Sequence, residues 1–278
     1  MRDFVTATAV EPLKATGGLE RFTAELHAQW GVDTKLHGGY LLAILGRAVG
    51  RVAGDEHPHL SASSAAFLRA PVPGPAEVCV ETLRVGRTTA QYRARLIQDD
   101  QPMVEALVTQ ERLEDADPWW TSMSPVELPE PQDCFLAPTD PPGAGFPVPL
   151  MDVVEEHVDP GVLGFAFGRP SRRGLVAGWQ RLADGSDWDP LSLLVALDML
   201  PAATFDLELP GWAPTIQFTA YIRCLPAPGP VRVRMQATQV TTDRIDELVH
   251  IWDSKDRLVA HATQLAAIPR TAPKKTTA

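Results

Sequence analysis

The chain has 278 residues, 45% apolar and 22% charged, an ordinary globular composition with room for two cores of average size. A formal net charge of −10, with Lys and Arg scattered apart from Lys274-Lys275, disfavours nucleic acid and anionic membranes as partners. Cys79, Cys134 and Cys224 lack CxxC spacing and fit a reducing compartment, so a cytoplasmic location is expected; no apolar run has the length of a signal peptide or of a membrane span.

In chain order, the first strongly periodic element opens at Gly38-Gly39-Tyr40. Leu41, Leu42, Ile44, Leu45, Ala48, Val49 and Val52 then follow at helical spacing. A helix that apolar must be wrapped by other elements. Strands come next: Glu77-Val78-Cys79-Val80-Glu81 and Tyr92-Arg93-Ala94-Arg95-Leu96 alternate between a dry and a wet face. Turns at Val72-Pro73-Gly74 and Asp99-Asp100 suggest hairpins. From Trp119 to Pro149 eight prolines forbid regular helix and central strand, predicting a surface linker pinned by Trp119 and Trp120. A second helix is expected to begin with Asp189 as N-cap and Pro190 at its first position, and to run through Leu191, Leu194, Val195 and Leu197 until Pro201 stops it. Val231-Arg232-Val233-Arg234-Met235 then alternates as a strand, with turns at Ala227-Pro228-Gly229 and Asp253-Ser254.

The order of elements repeats, and so do the residues. Adding 154 takes Ser61 to Thr215, Phe67 to Tyr221 and Arg69 to Arg223. An offset of 155 takes Pro73-Gly74-Pro75 to Pro228-Gly229-Pro230 and Val85 to Val240, and 154 returns at Thr109-Gln110 and Thr263-Gln264. The chain therefore reads as one small α+β fold written twice, each copy a curved antiparallel sheet around one buried helix. The expected divisions are a first copy over 1–118, a proline-rich linker over 119–150, a second copy over 151–270 and a disordered tail over 271–278.

That layout, with particular words, resembles the double hotdog acyl-CoA thioesterases of the type II, TesB-like group. The words are Trp30, His37-Gly38-Gly39-Tyr40, Phe67-Leu68-Arg69 and Leu83-Arg84-Val85-Gly86-Arg87 in the first half. In the second they are Asp198 with Leu200-Pro201, Pro214-Thr215, and Leu258-Val259-Ala260 leading to Thr263-Gln264-Leu265. The resemblance spans about residues 20 to 268 and implies two tandem hotdog repeats.

Asp198 stands out on residue chemistry alone. Leu191, Leu194 and Val195 lie seven, four and three residues before it, so its carboxylate projects from an apolar helical face. It also sits near a helix C-terminus, where the macrodipole disfavours negative charge, so burial and dipole both push its pKa upward. Such an acid marks a functional site or a structural ion pair, or else bends out to solvent. Between Asp33 and Asp55 the first copy has no acid at all. The resemblance adds Thr215 and Gln264, a hydroxyl and an amide that would fix a water for Asp198 to deprotonate. Their apparent counterparts Ser61 and Gln110 are of similar type, which suggests partly structural positions. Gly38 and Gly39 would let a ligand approach the start of the first helix, whose N–H groups favour developing negative charge, or would merely permit tight packing. His37 and Tyr40 join them as candidate substrate contacts, with capping or core packing the blander role for His37.

GxSxG, Walker A and GxGxxG motifs are absent, and His57-Pro58-His59 has no carboxylate or cysteine cluster, so neither metal nor cofactor is expected. Arg69, Arg84, Arg87 and Arg223 either bind phosphates of CoA or neutralise strand faces and sheet edges. The expectation is an acyl-CoA thioesterase releasing a carboxylic acid and CoA, assembled as a dimer of double hotdogs. Its rivals are a non-catalytic acyl-CoA or lipid binder and a thioesterase for a carrier-bound or polyketide-like acyl group.

Overall fold

Backbone pairing joins thirteen strands into one antiparallel sheet in the computed structural model, which describes residues 3–209 and 212–268. The tail expected at 271–278 lies outside the described residues. The first half runs α1 (Phe4–Ala7), β1 (Val10–Thr16), β2 (Leu19–Leu26), the small hairpin β3 (Gly31–Val32) and β4 (Lys35–Leu36), α2 (Gly38–Ala53), β5 (His59–Phe67), β6 (Gly74–Val85), β7 (Thr89–Gln98) and β8 (Gln101–Glu111). The second runs β9 (Phe135–Leu136), β10 (Val154–Val158), β11 (Leu175–Leu182), α3 (Leu193–Asp198), β12 (Thr215–Ile222), β13 (Val231–Val240), β14 (Arg244–Trp252) and β15 (Leu258–Ala267). The strand order is β1-β2-β6-β7-β8-β5-β12-β15-β14-β13-β11-β10-β9, so each half is nearly the mirror of the other in order, joined through β5 and β12.

The alternating runs bury what their pattern predicts. Val231, Val233 and Met235 face inward, as do Tyr92, Ala94 and Leu96. Inside the sheet, α2 buries residues on nearly every side, from Tyr40 to Val49, because it packs on the strands of its own half and on α3. No helix among the described residues is long and apolar enough to cross a membrane.

Strand register corrects the repeat's alignment. Ser64 pairs with Thr219, their hydroxyls 2.9 Å apart, and the pseudo-two-fold axis passes between them, which sets the offset at 155 on these strands. Matching bulges agree: β5 shifts register between Leu60 and Ala62, and β12 between Thr215 and Gln217. The turn before β15 is one residue longer than the turn before β8, since Ile97 pairs with Pro102 but Trp252 pairs with Leu258. The offset there becomes 156. Thr215 thus corresponds to Leu60, and Gln264 to Val108, so Ser61 and Gln110 are not their counterparts.

The proline-rich segment is held, but not by its tryptophans: Trp119 and Trp120 are 100% and 72% exposed. Backbone polar groups anchor it instead. Trp179 Nε1 donates to the Pro129 carbonyl at 2.9 Å, Asp33 N donates to Pro147 O at 2.7 Å, and β9 extends the sheet by pairing with β10.

Candidate active site

The second helix is shorter than its apolar run suggests: a turn closed by Leu193 N on Asp189 O precedes it, and regular helix begins at Leu193. Asp189 instead caps the turn before it, accepting from Ser192 N at 2.6 Å while Asp189 N donates to Ser192 Oγ, and Ser192 rather than Asp189 is the residue at the helix N-cap. Asp198 is then the last helical residue. Its backbone carbonyl, one of those a helix end leaves unpaired, lies 2.9 Å from His37 Nε2.

His37 belongs to the start of the other helix. Its Nδ1 accepts from Tyr40 N, capping α2, which leaves the ring proton on Nε2, directed at Asp198. The same nitrogen stands 3.4 Å from the Asp198 carboxylate, which also accepts from Gly39 N at 2.9 Å. The glycines are required by these approaches. A Cβ on Gly38 would sit 2.7 Å from Asp198 Oδ2, and one on Gly39 would sit 2.1 Å from the Leu194 carbonyl oxygen. Burial raises the Asp198 pKa, and His37 and the Gly38 and Gly39 amides partly offset it.

Thr215 and Gln264 meet each other: Gln264 Nε2 donates to Thr215 Oγ1 at 2.8 Å. Both belong to the helix-facing side, since Thr215 pairs with Ala266, and Gln264 with Phe218 and Glu247, across the sheet. Glu247 connects the two groups. It is 2% exposed, accepts from Ala203 N at 3.0 Å, and repels the Asp198 charge. Burial first, then Asp198, pushes its pKa to about 7.

Asp198 and His37 open onto a cavity of about 70 Å³. Its walls are apolar, Met199, Leu200 and Phe205 from the residues after α3, and Phe135, Phe146 and Val148 from the proline-rich segment. Tyr40 does not reach it, contrary to expectation. Its ring is fully buried and stacked on Trp30, and its hydroxyl donates to Ala7 O at 2.9 Å, so it packs the base of the helix.

Residues 26–110 match the acyl-CoA thioesterase N-terminal domain, and residues 131–268 match the acyl-CoA thioesterase C-terminal domain. This chain belongs to the acyl-CoA thioesterase family. A candidate thioesterase II from Thermobifida fusca has a solved structure that is 30% identical, with a TM-score of 0.85 and coverage of 96% of this chain and 97% of that one. A hot dog fold protein of unknown function from Alicyclobacillus acidocaldarius is 19% identical, with a TM-score of 0.78 and coverage of 97% and 98%. An uncharacterized protein of Mycobacterium tuberculosis is 29% identical, over 96% of this chain and 98% of its own length. The architecture is the double hotdog, and the enzyme is a thioester hydrolase.

Two buried acids of this thioesterase escaped the sequence reading, and parity could have found them. In Ile245-Asp246-Glu247-Leu248-Val249, Glu247 takes an inward place between Ile245 and Val249. In Val154-Glu155-Glu156-His157-Val158, Glu156 does the same between two valines and is 0% exposed.

Proposed function

We propose that the protein hydrolyses an acyl-CoA to the free carboxylic acid and CoA, using a water activated by Asp198. One observation carries this reading: a largely buried carboxylate with a raised pKa opens onto an apolar cavity that can receive an acyl chain. Ionised Asp198 takes a proton from water as the water oxygen attacks the thioester carbonyl carbon. The tetrahedral adduct collapses, the carbon–sulfur bond breaks, and the proton passes to the departing CoA sulfur. Because Gln264 donates to Thr215 Oγ1, the Thr215 hydroxyl proton is free to point at the water, whose own proton the Gln264 carbonyl can accept. The N-terminus of α2 with Gly38 and Gly39, and the Nε2 proton of His37, favour negative charge beside the reacting centre.

A thiol-release assay across acyl-CoAs of increasing length, with wild type and Asp198→Asn, tests the proposal. Wild type should turn over at least one member, and the variant should bind it without comparable turnover. Equal, slow hydrolysis by both would make the protein a non-catalytic acyl-CoA binder. Faster release of the same acyl group from acyl-carrier protein would assign it a carrier-bound substrate.

A further inference from the structure

We infer that Glu247 is a positioning residue for the proposed hydrolysis, tying the chain that follows Asp198 to the sheet at Gln264 so that the two sides of the water site keep their separation. The inference rests on the hydrolysis reading above and adds to it a group that acts through Asp198 and Gln264. Asp198 ends α3, and Ala203 lies shortly after it, between Leu200 and Phe205 of the cavity wall. Glu247 Oε1 accepts from Ala203 N at 3.0 Å. Across the sheet Glu247 is paired directly with Gln264, which in turn donates to Thr215 Oγ1. One buried side chain thus joins the segment after Asp198 to the strands that present Gln264 and Thr215.

The fold itself does not ask for an acid there. In the first half the residue paired with Val108, the counterpart of Gln264, is Tyr92, which fills the corresponding place with a buried ring. An amide at 247 would also accept from Ala203 N, without the cost of burying a group that ionises. What an acid adds is coupling to Asp198. Burial first, then the Asp198 charge, raises the Glu247 pKa to about 7. Two acids so placed lose their protons in turn. Asp198 has His37 and the Gly38 and Gly39 amides to favour its charge, and Glu247 has the Ala203 amide, so the charge belongs on Asp198 and the proton on Glu247. The groups packed around the pair respect that order. β13 and β15 set Ala237 and Gln264 opposite Glu247, His37 faces Asp198, and Asp206, further along the segment, is taken up by Ser171 and the Gly174 amide.

Thiol release by wild type, Glu247→Leu and Glu247→Gln tests the role, with Tm measured alongside. Glu247→Leu, which takes the acceptor from Ala203 N, should lower kcat at least about tenfold and change KM less, because small displacements of a catalytic group are costly. Glu247→Gln keeps the acceptor and at pH 6 should stay within about threefold of wild type. A folded Glu247→Leu with wild-type kcat, whatever its Tm, makes Glu247 merely structural and overturns the inference, as does an equal loss in both variants at pH 6. If Glu247→Leu does not fold, the pH profile of kcat/KM for Glu247→Gln decides. Above about pH 7 wild type gains a second charge beside Asp198, which makes Asp198 the stronger base, so the two profiles should part there with wild type higher. Profiles that superpose from pH 5 to 9 overturn the inference. A wild type that hydrolyses no acyl-CoA removes the hydrolysis reading and this role with it, an outcome distinct from an active wild type matched by Glu247→Leu.

Discussion

The two ends of the helix pair carry opposite charge patterns. Where the end of α3 meets the start of α2, a carboxylate stands against a histidine and two glycine amides, with an apolar cavity beside it. Where α2 passes the start of α3, the basic residue is on the long helix. Arg47 donates to Thr8 Oγ1 at 2.8 Å, lies over the Phe4 ring, and is attracted by Asp189. The strand residues differ as well. Gln264 bonds Thr215 in the second half, while the places that register assigns to them in the first half hold Val108 and Leu60. One end holds an acid that resists ionisation beside space for a ligand, and the other holds a cation with protein partners. The two junctions are therefore unequal, and the groups proposed for hydrolysis belong to one of them.

The largest expected contrast is in turnover. Asp198→Asn should lower kcat by about 10²- to 10⁴-fold, the usual worth of a positioned general base. Arg47→Met at the other junction should leave kcat within a few-fold and show its effect as a lower Tm. Comparable losses of kcat at both ends, measured by thiol release, would break the asymmetry.

Backbone crowding sharpens the same contrast. Gly39→Ala drives a methyl into the Leu194 carbonyl, so the helices must separate, and a loss of about 1–3 kcal/mol or more is expected, with impaired activity. Gly50, on the same helix near its other end, would meet nothing within 4 Å. Gly50→Ala should be neutral or stabilise by up to about 1 kcal/mol through helix propensity. Urea unfolding of both variants decides it, and similar destabilisation would mean the close contact at Gly39 is not what the glycine serves.

Much of this fold was legible because its signals are local. Alternation fixed the inward faces of the strands, proline-glycine turns marked the hairpins, and Asp198 was visible as an acid on an apolar helical face. The register between copies was not legible, since it depends on two bulges and one extra turn residue that leave no mark in residue type. Pairing like with like, Gln110 with Gln264, then made unequal positions look equivalent. The cavity was hidden for a different reason. Its walls come from a proline-rich segment without periodicity, whose tryptophans point to solvent while Phe135 and Phe146 turn inward. Glu156 and Glu247 were readable in principle, because each breaks an apolar alternation by a single place.

The smallest contrast lies in stability against pH, where a buried acid of the second half and an ion-paired acid of the first should respond with opposite sign. Carboxylates whose pKa is raised, Glu156, Asp198 and Glu247, all belong to the second half. Glu156 is ordinarily near 4.5 but about 8 when folded, so above pH 4.5 the unfolded chain releases a proton that the folded chain keeps. Stability from this group is therefore full below 4.5, falls by up to about 1.4 kcal/mol per pH unit, and levels off above 8. Glu156→Gln should match wild type near pH 4.5 and exceed its Tm by several degrees at pH 8. Glu77 in the first half is the reverse case. Arg21 Nε donates to it at 2.6 Å and holds its pKa below the usual value, so its contribution is present above pH 4.5 and lost as pH falls through the lowered value. Glu77→Gln should cost about 0.5–1 kcal/mol at pH 7, in keeping with a partly exposed pair, and almost nothing near pH 3. Differential scanning fluorimetry from pH 3 to 8.5 follows both variants against wild type. If the two difference curves slope the same way, Glu156 is being stabilised by a partner as Glu77 is, and the contrast between these two acids fails.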